Sequence, residues 1–376
     1  FIHRNSISKL HSERFIKLLQ AVKDLEQVMN SQFLDIEFAL GKDLTPYLLQ
    51  VRAITTQPNW NMSITKAIDT TLHGVQLFVK NKFERYRKIY GEVTVFGQMP
   101  DWNPIEMIGR APRALASSLY QTLITDSAWS KARSIMGYMT STGEPLMVML
   151  SGQPFIDTRL SFNSYLPKNT NPLIAKKLVN HWIGRLKDNP ELHDKVEFGI
   201  AITTYSFDID KKINNLIGDA LNATEKNDFR RLHVQQTKEL IGGNGDGSID
   251  YALKKVNSLS KKYSKADFTS QNDIFNLYSM VDDCIQLGTI PFSILARHGF
   301  IAKTILLSLE EEDILTSAEI NEIQSGVRTV ASELVDDMHS LHLSRISNRD
   351  FMGKYGHLRP GTYDIKSHRY DQMSSI

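Results

Sequence analysis

Between residues 35 and 52 the chain sets acids, an amide and an arginine on two short alternating runs, Asp35-Ile36-Glu37-Phe38-Ala39 and Tyr47-Leu48-Leu49-Gln50-Val51-Arg52. Side chains alternate between the faces of a strand, so Asp35 shares a face with Glu37, and Gln50 shares one with Arg52. On a hairpin the two faces can coincide, which brings a carboxylate and a guanidinium to one pocket. A carboxylate can hold Mg²⁺ against nucleotide phosphates, and the planar fork of Arg can clamp a phosphoryl oxygen. The same alternation also describes an ordinary amphipathic hairpin whose charges face water.

Four later segments carry further chemistry. Phe96 to Gly109 packs Gln98, Asp101 and Trp102 ahead of Asn103-Pro104-Ile105-Glu106. Asn103 reads as a helix cap with Pro104 at the first helical position, which leaves Gln98, Asp101 and Trp102 in a loop that can present them to a ligand. Asp157 and Arg159 fall on one face of an expected strand, where they form an internal ion pair or receive a zwitterion, Arg being suited to a carboxylate. Arg297 and His298 sit inside an otherwise apolar helix, where a charge needs a partner or a ligand. Tyr355-Gly356-His357-Leu358-Arg359-Pro360-Gly361-Thr362-Tyr363-Asp364 gathers a proton-transfer group, an anion holder and an orienting acid in one turn.

The elements that must position these residues follow from periodicity. Apolar spacing predicts helices over 5–30, 63–90, 112–125, 127–138, 173–187, 210–221, 228–240, 249–263, 270–287 and 317–342, with another around Pro291–Ala302. Alternation predicts strands over 92–98, 145–150, 154–160 and 196–204 besides the hairpin. The basic tail Lys80, Lys82, Arg85, Arg87 and Lys88 reads as a solvated helix end that complements the helix dipole. Residues 244–255 look superficially like a calcium loop, but Ile249 stands where that loop needs Gly and Lys255 where it needs Glu, so they read as a surface loop. The expected fold class is α+β. Residues 1–56 form one module, and a helix-rich central domain with a small antiparallel sheet spans 57–376.

Composition narrows the partners. With 44 basic and 42 acidic residues among 376, nothing electrostatic points to nucleic acid or an anionic membrane. The lone Cys284 excludes an intrachain disulfide and a Cys-based zinc site, and its apolar surroundings read as those of a core thiol. No uninterrupted apolar run reaches about 18 residues and the first residues lack a signal-peptide layout, so a cytoplasmic setting is expected.

The hairpin spelling, D-I-E-F followed by L-L-Q-V-R, resembles the end of the ATP-grasp domain in the phosphoenolpyruvate synthase and pyruvate phosphate dikinase superfamily. The segments around Asp101-Trp102-Asn103-Pro104 and Gly356-His357-Leu358-Arg359-Pro360-Gly361 look like the rifampin phosphotransferase and capsular glutamine kinase branch. The resemblance implies ATP and Mg²⁺ as cofactors, with Glu37 as metal ligand and Gln50 and Arg52 on the phosphate side. It also implies a phosphohistidine on a swivelling domain that passes its phosphoryl group to a small acceptor held by the central domain, with AMP and phosphate released. Neither the nucleotide-gripping part of ATP-grasp nor a Gly-Gly-x-x-Ser-His segment occurs among these residues, so the chain reads as an internal fragment whose partners are those domains. L-Glutamine for capsule phosphoramidate synthesis is the expected acceptor. Arg159, Arg297 and Arg359 are available for its carboxylate, Asp101, Asp157 and Asp364 for its ammonium, and His357, with Arg52, for catalysis. A non-catalytic helical binding or scaffold module and a rifampin-like drug phosphotransferase are the alternatives. The drug reading predicts a large apolar pocket and the amino-acid reading a small charged one.

Overall fold

The computed structural model describes residues 13–31, 34–53, 62–82, 89–140, 143–242, 247–264, 273–359 and 368–373. Contacts divide the chain into two units, Phe1–His73 and Gly74–Ile376. The architecture is helix-rich α+β with small antiparallel sheets. The expected module boundary at 56/57 lies outside the described residues.

In the first unit α1 (Glu13–Met29) precedes a two-stranded hairpin, β1 (Leu34–Leu40) and β2 (Pro46–Ala53). Gly41–Thr45 closes it. The Gly41 N–H donates to the Thr45 carbonyl at 2.9 Å, while the Asp43 carboxylate takes the Thr45 hydroxyl and amide. Those hydrogen bonds hold the Asp43 carboxyl below its usual range, and Lys17 of α1 ties the turn down through the Asp43 carbonyl at 2.8 Å. The strands pair antiparallel with Asp35 opposite Arg52 and Glu37 opposite Gln50. Directly opposed positions share a face, so the expected convergence of acid and basic or amide positions holds in the register. The register then shifts between Glu37 and Phe38, a bulge that bends the ladder beside Gln50.

The second unit opens with the end of α2 (Met62–Lys82); residues 83–88 lie outside the description, and of the helix expected to Tyr90 the described Ile89 and Tyr90 are not helical. Of the strand expected over 92–98 only β3 (Phe96–Gly97) forms. The reason lies in where the preceding amides go. Tyr90 N–H donates to Asn163 Oδ1 at 2.9 Å, Glu92 N–H to Asn180 Oδ1 at 2.8 Å and Val95 N–H to Thr158 Oγ1 at 3.3 Å. Side chains satisfy the backbone that a ladder would otherwise take. Gly91 within that segment has φ +101°, and a Cβ there would come within 2.7 Å of Val179 and 3.2 Å of Arg159, so glycine suits both the conformation and the close approach.

After β3 come α3 (Pro104–Ile108) and α4 (Ala114–Tyr120), the latter running through a π turn at Gln121–Thr125 toward α5 (Ala128–Ile135). Strands β4 (Met147–Leu150) and β5 (Gln153–Asp157) pair antiparallel and give the sheet order β3-β5-β4. The strand expected to reach Leu160 stops at Asp157, which instead caps α6 (Thr158–Asn163) by accepting the Arg159 amide at 3.1 Å. Asp157 and Arg159 therefore do not share a strand face, a correction forced by the cap.

Helix α7 (Pro172–Asp188) supplies the main core, with Leu178, Val179, Trp182 and Ile183 packed on Phe162, Ile200, Ile213 and Phe229. The strand expected over 196–204 is absent. Val196–Ile200 makes a π turn, and Ala201–Thr204 runs buried without a ladder, its Thr203 carbonyl taken by the Tyr138 hydroxyl at 3.1 Å. The wider turn swings Glu197 inward, where strand alternation would have left it outside.

Helices α8 (Ile209–Leu216), α9 (Ala223–Ile241) and α10 (Ser248–Tyr263) follow, then α11 (Asp273–Asp283), a π turn at Cys284–Thr289 and α12 (Ile290–Glu311). No break occurs at 287: the wider turn carries the helix past Pro291, which has no N–H to give. Cys284 is exposed at that turn, so it is not the core thiol expected. The expected helix 317–342 is two, α13 (Ser317–Gly326) and α14 (Val330–His342), the second opened by a Thr329–Ser332 capping box. Helix α15 (Asn348–Tyr355) is the last long enough to name.

Among the described residues one helical stretch, Asn276–Glu311, has the length and apolarity to cross a membrane, with mean hydropathy 1.3 and 39% of that window buried. Its α12 half packs on α5 and α10 and places Ile290, Ile294 and Ile301 in a second core.

Candidate functional site

Helix α5 explains the most unusual cluster in the molecule. Ala128, Ala132 and Met136 face the second core, while Trp129 joins a third core with Tyr120, Leu146 and Ile156. Arg133, one turn beyond Trp129, is carried between these two apolar faces and is 5% exposed. Burial obliges it to find partners. Its Nη2 donates to Asp101 Oδ1 at 3.0 Å, and its guanidinium lies over the rings of Tyr165 and Tyr138, 5.3 and 5.8 Å from their centroids. Among the described residues nothing hydrogen-bonds Nε and Nη1 of Arg133.

Asp101 is pinned from two sides, because Ser161 Oγ donates to its Oδ2 at 2.8 Å. Its backbone is left-handed, φ +55°, as is that of Asn103 at +42°, conformations that Asp and Asn tolerate better than other L residues. The Tyr120 hydroxyl holds the intervening Trp102 carbonyl at 2.7 Å. A loop held in sparsely populated backbone states by buried partners is rigid by construction. As expected, Asn103 caps α3, accepting the Glu106 amide at 3.4 Å, with Pro104 at the first helical position.

From the opposite wall α12 contributes Arg297, 3% exposed. It forms an ion pair with Glu197 on the π turn, and donates to the Tyr138 hydroxyl at 3.4 Å and the Thr203 carbonyl at 3.5 Å. Its guanidinium stands 5.4 Å from both tyrosine centroids that Arg133 also faces, so two cations and two rings share one cluster. Burial works against the charged form of Arg297, but the Glu197 charge and the tyrosines outweigh it and raise the pKa. Burial, then the Asp101 and Glu197 charges, push the Tyr165 phenol well above its ordinary value, so it stays a donor, and it reaches Glu197 Oε1 at 3.4 Å.

These groups surround a cavity of about 190 Å³ lined by Asp101, Trp102, Arg133, Glu197, Arg297 and the apolar rim Phe292, Ala296 and Phe300, with Ser293. The rings of Trp102 and Phe292 in its lining lie 6.1 Å apart, centroid to centroid. Two carboxylates and two guanidiniums make the lining formally neutral, which suits a zwitterion better than a polyanion. A larger cavity of about 370 Å³ lies on the other side of Glu197. The smaller one is the better candidate because its charges are buried, where electrostatic contacts are strongest.

Compared with known proteins, the chain matches no family model, no curated protein and no solved structure.

The other expected residues disperse. Gln98 bonds Gln153 at 3.0 Å and lines a separate cavity with Phe96, Phe155 and His193. Asp157 is occupied by the Thr94 hydroxyl and the α6 cap; burial raises its pKa against those bonds and the nearby Arg159 charge. Arg159 is buried and spends its Nη2 on the Lys82 carbonyl at 2.7 Å, holding the end of α2. His357 and Arg359 are exposed after α15 and do not line the cavity, while Asp364 lies outside the described residues. Glu37 and Gln50 are exposed on the hairpin face described above; nothing is described of the Arg52 side chain beyond its register position. No group of three or more His, Cys, Asp or Glu side chains suited to a metal occurs among the described residues. Mg²⁺ commonly takes one or two carboxylates plus substrate phosphates, so a hairpin carboxylate fits that mode only together with a nucleotide.

Arg133, Glu197, Ser161, Tyr138 and Tyr165 were missed from sequence. Arg133 alone carried a signal, a cation on the apolar face of Ala128-Trp129-Ser130-Lys131-Ala132-Arg133.

Next to the cluster, His233 of α9 is fully buried, packs edge-on to Phe229 at 4.4 Å and has no hydrogen-bond partner on either ring nitrogen among the described residues. Burial first, then the Arg297 charge, lower its pKa from 6.5 to about 3. The unfolded chain therefore binds an extra proton between those values, and stability falls as pH drops through that window by up to about 1.4 kcal/mol per unit. Replacing His233 by Phe should flatten the loss between pH 7 and pH 5, read from urea midpoints. An unchanged difference would show that His233 protonates as readily folded as unfolded.

Proposed function

We propose that this chain is the acceptor-binding part, with the tail of an ATP-grasp domain, of a phosphoenolpyruvate-synthase-like phosphotransferase. In this reading ATP and Mg²⁺ engage the hairpin at Glu37, Gln50 and Arg52, and a phosphohistidine domain delivers the phosphoryl group. AMP and phosphate leave, and the setting is cytoplasmic. The acceptor is a small zwitterion, L-glutamine first, held in the cavity between α5 and α12. Asp101 and Glu197 offer oxygens to its ammonium. Arg133, whose Nε and Nη1 have no partner among the described residues, and Arg297 offer the positive side to its carboxylate.

One observation carries the reading. Asp101 and Trp102, and Arg297 nearly 200 residues further on, each singled out for acceptor binding, line one cavity together with Arg133 and Glu197. Its volume of about 190 Å³ also favours a small acceptor over a drug, because drug-sized ligands occupy roughly 300–1,000 Å³.

Calorimetry of the chain against L-glutamine, with rifampin as contrast, tests this. Glutamine should bind, rifampin should not, and Ala296→Leu, which thrusts an isobutyl group into the cavity from a helix that tolerates Leu, should weaken glutamine at least tenfold. Binding that ignores Ala296→Leu would move the acceptor elsewhere, and binding of no amino acid would favour the scaffold reading.

A further inference from the structure

The cavity on the far side of Glu197 is built differently from the one above. It encloses about 370 Å³, within the range of organic-ligand sites, and has an apolar floor of Phe198, Ile202, Leu216 and Leu307. Thr304, Leu307 and Glu311 recur at helical spacing along one face of α12, so that face runs from floor to charged rim.

The rim's charges do not cancel. Of its carboxylates, Glu197 is neutralised by Arg297 and Asp208 by Lys212 at 3.0 Å. The other lysine, Lys211, also lines the cavity; it pairs with Glu312 at 2.9 Å, donates to the Glu311 carbonyl at 2.6 Å and lies in the field of the Glu311 carboxylate. Among the described residues neither Glu310 nor Glu311 forms a salt bridge, Glu310 accepting the Ser317 hydroxyl, and the four carboxylates of the lining, Glu197, Asp208, Glu310 and Glu311, outnumber its two lysines. An apolar floor beside an excess of carboxylates over cations selects a ligand that is apolar at one end and positive at the other.

We propose that this cavity binds an organic ammonium ion with a compact apolar body. The body rests on Phe198, Ile202 and Leu307, and the charge lies at Glu310 and Glu311. This site is separate from the acceptor cavity and stands whether or not that reading holds.

Calorimetry on the full chain with phenethylammonium chloride, and with 3-phenylpropionate as the probe of opposite charge and similar body, tests it. Phenethylammonium should bind, more weakly as salt rises, and phenylpropionate should not. Thr304→Trp, which fills the floor, should abolish binding. Glu311→Gln, at an exposed position that leaves the fold alone, should weaken it about two- to fivefold. Equal binding of phenylpropionate, no binding of phenethylammonium, or unchanged affinity in both variants would each overturn the proposal.

Discussion

Arg297→Ala should destabilise the second unit by about 3–5 kcal/mol, a large share of the total stability of a typical domain. The loss comes less from the ion pair itself than from what remains. Glu197, with its side chain 10% exposed, would keep a largely buried charge beside the Tyr165 hydroxyl without the guanidinium that pairs with it. The Thr203 carbonyl and the Tyr138 hydroxyl would lose a shared donor. Removing both partners is a different experiment. Arg297→Met with Glu197→Leu replaces the pair by apolar volume and should recover most of the loss, because a buried pair contributes little net over hydrophobic packing. Urea unfolding of the three variants separates the two effects. A single variant within about 1 kcal/mol of the native chain would mean that Glu197 reaches water and that the cluster is wet.

Trp182→Ala should have an effect of the same size, about 3–5 kcal/mol, through a different mechanism. Trp182 is fully buried on α7, edge-on to Phe162 at 6.0 Å and tilted against Phe229 at 6.5 Å. Truncation opens a cavity where α6, α7 and α9 meet, and close-packed neighbours fill it only partly. Its indole N–H has no partner among the described residues, so Trp182→Phe removes an unsatisfied donor along with some volume and should lose clearly less than Ala. Equal losses for Phe and Ala would place the stabilisation in the indole rather than in filling.

How much of this was legible follows from which signals are local. The hairpin was, because alternation over 35–52 and the short turn are local properties, and the register pairs Glu37 with Gln50 and Asp35 with Arg52 as the faces required. So was the cap at Asn103, a side-chain-to-amide bond three residues long. The strands over 92–98 and 196–204 were not. Their alternation is real, but the amides of the first are met by Asn163, Asn180 and Thr158, and the second is bent by a π turn, choices made by residues distant in sequence. The same long-range choices hid half the candidate site. Asp101, Trp102 and Arg297 stood out as charges or aromatics in unusual settings. Glu197 carried no signal within the strand expected over 196–204, and Arg133 is buried only because α5 lies between two cores assembled from distant segments. Arg159 misled for the same reason, since nothing local says that its guanidinium closes the end of α2 on the Lys82 carbonyl.

The central claim is that the cavity between α5 and α12 is the acceptor site. It is tested most directly by a crystal structure of the chain grown with L-glutamine. The account predicts the ligand in that cavity, its carboxylate within hydrogen-bond distance of the Arg133 guanidinium and its ammonium facing Glu197 or Asp101. Glutamine seated instead against Arg359, or on the hairpin, with the cavity holding only water, would contradict it.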